Sequence, residues 1–226
     1  DGVFGKLARK SKSSLVFAVD RYEVFSNGTD VEGHEILIRD LEKDEERAYI
    51  LETPGLTQLK NIPGILAVID KLKDLKFELS EKDIRNGIEQ YQKTTGLKGR
   101  WQILQTRPQV IADIAHNQAG LENITQQLLK LQYSKLYIIL GFMKEKDIGK
   151  ILPLFPQDAE YVFCQPKVPR AMDARWLALQ AALYNLDGRV IADVNKALLT
   201  VLGKSGEEDV IFVGGSTFVV SELENL

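Results

Sequence analysis

The sequence predicts an α/β fold in two parts. Beyond residue 96, β-prone apolar runs alternate with segments of helical period: 109–113 before 118–132, 135–140 before a helix opening near Asp147, 160–164 before 173–184, and 209–213 before a last helix from about residue 217. Such alternation implies a mainly parallel sheet covered by helices on both faces. The region after residue 96, roughly 130 residues, is long enough for an independent core. Residues 1–95 instead show three or four short strands and two helices. They read as an incomplete α/β companion to the region 96–226.

Residues 1 to about 13 read as a short helix with Phe4, Leu7 and Ala8 on one face, closed by the polar run Lys10 to Ser14. Asp1 opens directly into that pattern, so the chain is expected to be cut from something longer. Leu15 to Val19 reads as a buried strand. Tyr22–Phe25, Glu35–Ile38 and Ala48–Leu51 alternate partially, separated by Ser26-Asn27-Gly28 and the charged run Lys43 to Arg47. That suits an antiparallel meander with one solvated face. Thr53-Pro54-Gly55 ends the strand pattern. Asn61 is expected to cap a helix that has Pro63 in its first turn and continues through Leu66, Ile69 and Leu72. Ser80-Glu81-Lys82-Asp83 has the form of a capping box opening a second helix through Ile84, Ile88 and Tyr91. Thr94-Thr95-Gly96 closes it. A further helix is expected from Val194 to Leu202, after at most a very short strand.

A formal net charge of −3 over 226 residues gives no electrostatic reason to expect nucleic acid. The longest apolar runs fall far short of the ~18 residues needed to cross a bilayer, and no signal-peptide pattern opens the chain. The single Cys164 allows neither an internal disulfide nor a cysteine metal site. A cytoplasmic protein with no nucleic-acid or membrane partner is the expectation.

The most informative stretch is Gly99-Arg100-Trp101 followed by Val110-Ile111-Ala112-Asp113-Ile114-Ala115-His116-Asn117. A buried strand ends at an acid there, and Leu121, Ile124, Leu128 and Leu131 then mark a helix. Asp113, His116 and Asn117 thus gather where ligands bind in open α/β sheets, beside a helix start whose free N–H groups favour anions. Arg100 carries a two-pronged donor suited to phosphate or carboxylate. The bland alternative is that Asp113 caps the helix and His116 satisfies a backbone group. Ile191-Ala192-Asp193-Val194-Asn195 repeats the opening letters without the histidine and reads as structural. Gly214-Gly215-Ser216 follows the strand 209–213, a geometry that lets backbone approach an anion or simply makes a tight turn. The charges of Gly141 to Asp147 read as loop solvation with a cap at Asp147. His34 has no ligand spacing around it. No G-x-x-x-x-G-K-[ST] phosphate loop is present, and no G-x-G-x-x-G.

Taken together, Gly55-x-x-Gln58-x-x-Asn61, Gly99-Arg100, Asp113-x-Ala115-His116-Asn117, Gly141 with Lys146-Asp147, Pro169-Arg170-Ala171 and Gly215-Ser216 resemble, in order and spacing, the folylpolyglutamate synthase / dihydrofolate synthase family of Mur-type amide ligases. The resemblance implies that residues 1–95 are the tail of a central ATPase domain and 96–226 a Rossmann-like C-terminal domain, with ATP held between the two in that family. It implies that Asn61 contacts the adenine, Arg100 the phosphates and Asp113 the ribose. His116 and Ser216 match positions near the reacting glutamate end. The implied reaction joins L-glutamate to folate or dihydropteroate through an acyl phosphate.

The sequence departs from the family at Ile114 and Gln118, where Gly and Pro are usual, and at Thr57, where an aromatic or His is usual. The family's phosphate loop, magnesium ligands and modified lysine match nothing in this chain. The resemblance therefore implies a missing N-terminal ATPase segment of the same protein, and 226 residues that do not catalyse ligation alone. Another Mur-type ligase acting on a cell-wall precursor and a freestanding α/β binding module are the competing readings.

Overall fold

A computed structural model describes residues 2–30, 33–51 and 55–224. The chain divides into two compact units, one of residues 1–54 and 58–96, the other of 55–57 and 97–226. Among the described residues no helix is long and apolar enough to cross a membrane.

The first unit opens with helix α1 (Gly2–Ser11), which buries none of its side chains. Strands β1 (Tyr22–Asp30), β2 (Gly33–Asp40) and β3 (Glu45–Leu51) form an antiparallel meander in that order. Ile36, Ile38, Tyr49 and Leu51 pack against Ile62 and Leu66 of helix α2 (Leu56–Asp74) and against Ile84 and Ile88 of α3 (Glu81–Glu89). Ser80 and Asp83 make the expected capping box. Helix α4 (Tyr91–Thr95) ends on Gly96, whose φ of +65° suits a residue without Cβ.

Two expectations fail here. Leu15 to Val19 is not a strand: Ala18–Asp20 is a 3-10 turn, and Val16 and Val19 are exposed. β-branched residues favour strands because they pack on a pleated surface, and the three-stranded sheet offers this run no ladder. Nor does Asn61 cap a helix, since α2 begins at Leu56 and continues through Asn61 and Pro63. The apolar stripe Leu59-Ile62-Leu66-Ile69 faces one core, and its burial outweighs the ~3 kcal/mol an interior proline costs. Thr53 and Pro54 lie outside the described residues.

The second unit is a six-stranded sheet ordered β4-β5-β9-β6-β7-β8. Its members are β4 (Gln102–Thr106), β5 (Gln109–Asp113), β6 (Leu136–Leu140), β7 (Glu160–Phe163), β8 (Gly188–Val190) and β9 (Val210–Gly214). Only the β4–β5 pair is antiparallel. The pleat sends successive residues to opposite faces. Ile111, Ile138, Leu140, Tyr161, Phe163 and Phe212 meet α5 (Gln118–Leu128), α6 (Ile148–Ile151) and α7 (Ala174–Ala182) on one face. Val110, Ala112, Ile139, Val162, Ile211 and Val213 meet α8 (Val194–Leu202) and α9 (Thr217–Ser221) on the other. The mainly parallel, doubly covered sheet is as the alternation predicts. The insertion of the last strand β9 between β5 and β6 is not something periodicity reveals.

Candidate functional site

Strand order fixes where a ligand fits. The β5–α5 and β6–α6 connections lead to one face of the sheet, whereas the turn after β9 leads to the other. Asp113 and Leu140 both neighbour Gly214 in register, so these diverging loops start side by side. A crevice at the C-terminal strand ends is the usual ligand position in such sheets.

At its β5 side the Gly99-Arg100-Trp101 turn is laced to the segment 113–115. The Gly99 carbonyl accepts the Ile114 N–H at 2.8 Å. Asp113 Oδ2 accepts the Trp101 N–H and Oδ1 the Ala115 N–H, both at 2.7 Å. Gly99 and Trp101 have φ of +70° and +47°. Trp101 is buried under the α5 face of the sheet, while Arg100 between them stays half-exposed. A Cβ on Gly99 would fall 2.5 Å from Ile114 Cγ2, so only glycine lets the two segments approach this closely. Burial pushes the Asp113 carboxyl above the ordinary carboxylate range, against the pull of the Ala115 and Trp101 N–H groups and of Arg100. Each Asp113 oxygen has a second acceptor direction, which suits a hydroxyl donor such as a ribose. The helix cap is Asn117, not Asp113: its Oδ1 accepts the Gly120 N–H at 2.8 Å.

His116 is exposed and its Nδ1 lies 3.1 Å from the Ile114 carbonyl. A carbonyl only accepts, so Nδ1 carries the hydrogen and Nε2 of the neutral ring keeps its lone pair. The ring borders a cavity of about 200 Å³, lined by Asn117 and Gln118 on its own side, by Lys146 and Asp147 from the loop after β6 and by Lys150 of α6. Lys150 pairs with Asp147 at 3.1 Å. That loop is stitched to Pro169-Arg170-Ala171: Met143 bridges Ala171, the Lys144 N–H reaches the Arg170 carbonyl at 3.0 Å, and Lys144 Nζ the Pro169 carbonyl at 3.2 Å. A cavity of about 30 Å³ in the first unit, bordered by Tyr22, Asp40 and Asp70, has room for water only.

Gly215 has φ of +92°, and a Cβ there would lie 2.7 Å from the Gly141 carbonyl. Ser216 is buried, and its Oγ caps α9 by accepting the Phe218 N–H at 3.2 Å. Asn61 belongs to the first unit, exposed on α2, and its Nδ2 donates to Gln58 Oε1 at 3.1 Å. In the second unit Asp113 thus neighbours Gly214 in register and holds the Arg100 turn through the Trp101 N–H, while His116 lines the pocket beside Lys146, Asp147 and Lys150, to which Arg100, Asp113 and Ser216 contribute no lining. Sequence reasoning missed the lacing by Trp101 and by Gln102, whose side-chain Oε1 accepts the Gly99 N–H at 2.7 Å. Their only signal was position, directly after Gly-Arg at a strand start. Among the described residues no group of three His, Cys, Asp or Glu side chains could hold a metal ion.

Residues 99–217 match the family described as Mur ligase, glutamate ligase domain. A probable bifunctional folylpolyglutamate synthase/dihydropteroate synthase of Haloferax volcanii is 26% identical over 186 residues, covering 79% of this chain and 22% of that protein. The dihydrofolate synthase/folylpolyglutamate synthase of Buchnera aphidicola (from Acyrthosiphon pisum) is 29% identical over 192 residues, 81% of this chain and 45% of that protein. A UDP-N-acetylmuramoyl-L-alanyl-D-glutamate–L-lysine ligase of Streptococcus thermophilus is 27% identical over 151 residues, 62% and 30%.

Among solved structures, Escherichia coli FolC in complex with DHPP and ADP superposes with a TM-score of 0.74 at 21% identity, over 97% of this chain and 49% of that one. A bifunctional folylpolyglutamate synthase/dihydrofolate synthase with Mn, AMPPNP and L-glutamate bound gives 0.71 at 23%, over 96% and 48%. The chain spans less than half the length of each of these proteins. Its fold is theirs over that span, and by the family match it belongs to the Mur ligases, as a bearer of their glutamate ligase domain.

Proposed function

We propose that the chain is the C-terminal portion of an ATP-dependent folate ligase that adds L-glutamate to (tetrahydro)folate or dihydropteroate. The observation that carries this reading is the Arg100 turn laced to Asp113 at the C-terminal end of β5, in a Mur ligase family member whose relatives include folylpolyglutamate and dihydrofolate synthases. ATP would supply the phosphoryl group that turns the acceptor carboxylate into an acyl phosphate. Arg100 offers the guanidinium for the phosphates, Asp113 its spare acceptor directions for the ribose, and Asn61 its amide for the adenine edge.

His116 Nε2 takes the proton that the glutamate ammonium must lose before its nitrogen attacks. The new C–N bond then forms as the acyl–oxygen bond to phosphate breaks. Ser216 holds the α9 start beside the glutamate end. Residues 1–95 are assigned as the tail of the central ATPase domain and 96–226 as the C-terminal domain. The phosphate loop and magnesium ligands are assigned to an N-terminal segment of the same cytoplasmic protein, without which these residues are expected to be inactive.

Transfer of labelled L-glutamate by the full-length gene product tests the proposal, with tetrahydrofolate, dihydropteroate and a UDP-muramoyl peptide as acceptors. Label in a pteridine product supports it. Label only in the muramoyl peptide moves the chain to the cell-wall branch, which the Streptococcus similarity keeps open. A folded protein that labels none leaves a binding module.

A further inference from the structure

The turn that carries Arg100 is also held by a side chain of β4. Gln102, first residue of β4, folds its side chain back so that Oε1 accepts the Gly99 N–H at 2.7 Å. The amide nitrogen cannot accept a hydrogen bond, so it is the oxygen that must face this donor. Gln102 is half-buried and paired in register with Ala112, so its own backbone is fixed by the sheet. Asp113 ties the other end of the turn through the Trp101 N–H. A non-glycine residue at φ of +47° persists only where its surroundings over-determine it. Of the three turn residues Gly99 and Trp101 are buried, and Arg100 alone is half-exposed. Tied at both ends, the turn fixes the backbone from which the half-exposed Arg100 side chain leaves.

We infer that Gln102 is a positioning residue for Arg100: its amide oxygen sets the turn so that the guanidinium meets the phosphates of a bound nucleoside triphosphate. The inference rests on the proposed role of Arg100. What the position requires is an acceptor at the end of a three-carbon side chain. Gln102→Met keeps the length and removes the acceptor, and Gln102→Glu keeps both.

Calorimetry on the full-length gene product, with AMPPNP and with adenosine as a probe lacking phosphates, separates positioning from general damage. Gln102→Met is expected to weaken AMPPNP binding about tenfold and to leave adenosine binding unchanged. Gln102→Glu should restore AMPPNP to within about threefold of wild type. Hydrogen exchange at the Gly99 amide should accelerate in Gln102→Met whether or not nucleotide binds. Unchanged AMPPNP affinity alongside a faster Gly99 amide would overturn the inference. So would equal losses for the two probes, or a Gln102→Glu variant as weak as Gln102→Met. A wild type that binds no AMPPNP removes the nucleotide reading itself, and this role of Gln102 with it.

Discussion

Two turns in one sheet begin with the same letters and do opposite work. Ala112-Asp113 ends β5 and leads to α5, and Ala192-Asp193 follows β8 and leads to α8. Asp193 caps its helix, accepting the Lys196 N–H at 2.9 Å, and pairs with Lys167 at 2.7 Å on the surface. Asn195 then ties down the C-terminal segment through the Glu222 carbonyl and the Glu224 N–H. Asp113 is buried and caps nothing, because Asn117 takes that duty four residues later. The inserted Ile114-Ala115-His116 frees the acid to brace the Arg100 turn. Distance from acid to helix, not the acid itself, separates a cap from a site.

The largest expected contrast comes from removing each acid. Asp113→Ala strands the Trp101 and Ala115 N–H groups without their acceptors. At ~1–3 kcal/mol for the buried Trp101 donor and less for the half-buried Ala115 donor, the second unit should lose about 2 kcal/mol or more in denaturant unfolding. Asp193→Ala should cost only the smaller loss of one exposed helix cap, measured the same way.

Next comes Arg100→Ala. It should leave unfolding nearly unchanged while ATP-dependent turnover of the full-length protein falls about 10²-fold, as for other donors aimed at developing charge. A glycine pair sharpens the geometry. Gly215→Ala meets both positive φ and the Gly141 carbonyl, whereas Gly96→Ala meets positive φ and open space. Thermal unfolding should show the first well beyond the ~1 kcal/mol expected of the second.

The smallest effect is in titration. Asp113 should protonate above the ordinary carboxylate range because of burial, and Asp193 below it because of Lys167 and the Lys196 N–H. For the depressed Asp193, the stabilising contribution is present above the unfolded value and lost as pH falls through the folded one. For the raised Asp113, the contribution is full below the unfolded value and is lost as pH rises through the folded one. Carboxyl ¹³C shifts against pH read both midpoints.

Much of this was legible in the sequence. Strands that alternate with helices after residue 96, the capping box at Ser80 and the helix Val194–Leu202 follow from local period and cap chemistry. Arg100, Asp113 and His116 were visible as a motif because strand, acid and helix start lie within a few residues. What stayed hidden is non-local. The place of β9 between β5 and β6 depends on long-range pairing. The failed strand at Leu15–Val19 depended on a missing neighbour, and the start of α2 ahead of Asn61 on tertiary burial of Leu59 and Ile62. The Gln102 and Trp101 ties depend on φ values that no spacing encodes.

One measurement bears most directly on the account: ATP-dependent phosphate release with tetrahydrofolate and L-glutamate, comparing the full-length protein with its Asp113→Ala and Asp193→Ala variants. Wild type and Asp193→Ala are expected to turn over within about twofold of each other while Asp113→Ala loses at least ~10²-fold, since of the two acids Asp113 alone braces the turn of the arginine proposed to meet the phosphates. Equal activity of the two variants, or a folded wild type that releases no phosphate, would contradict it.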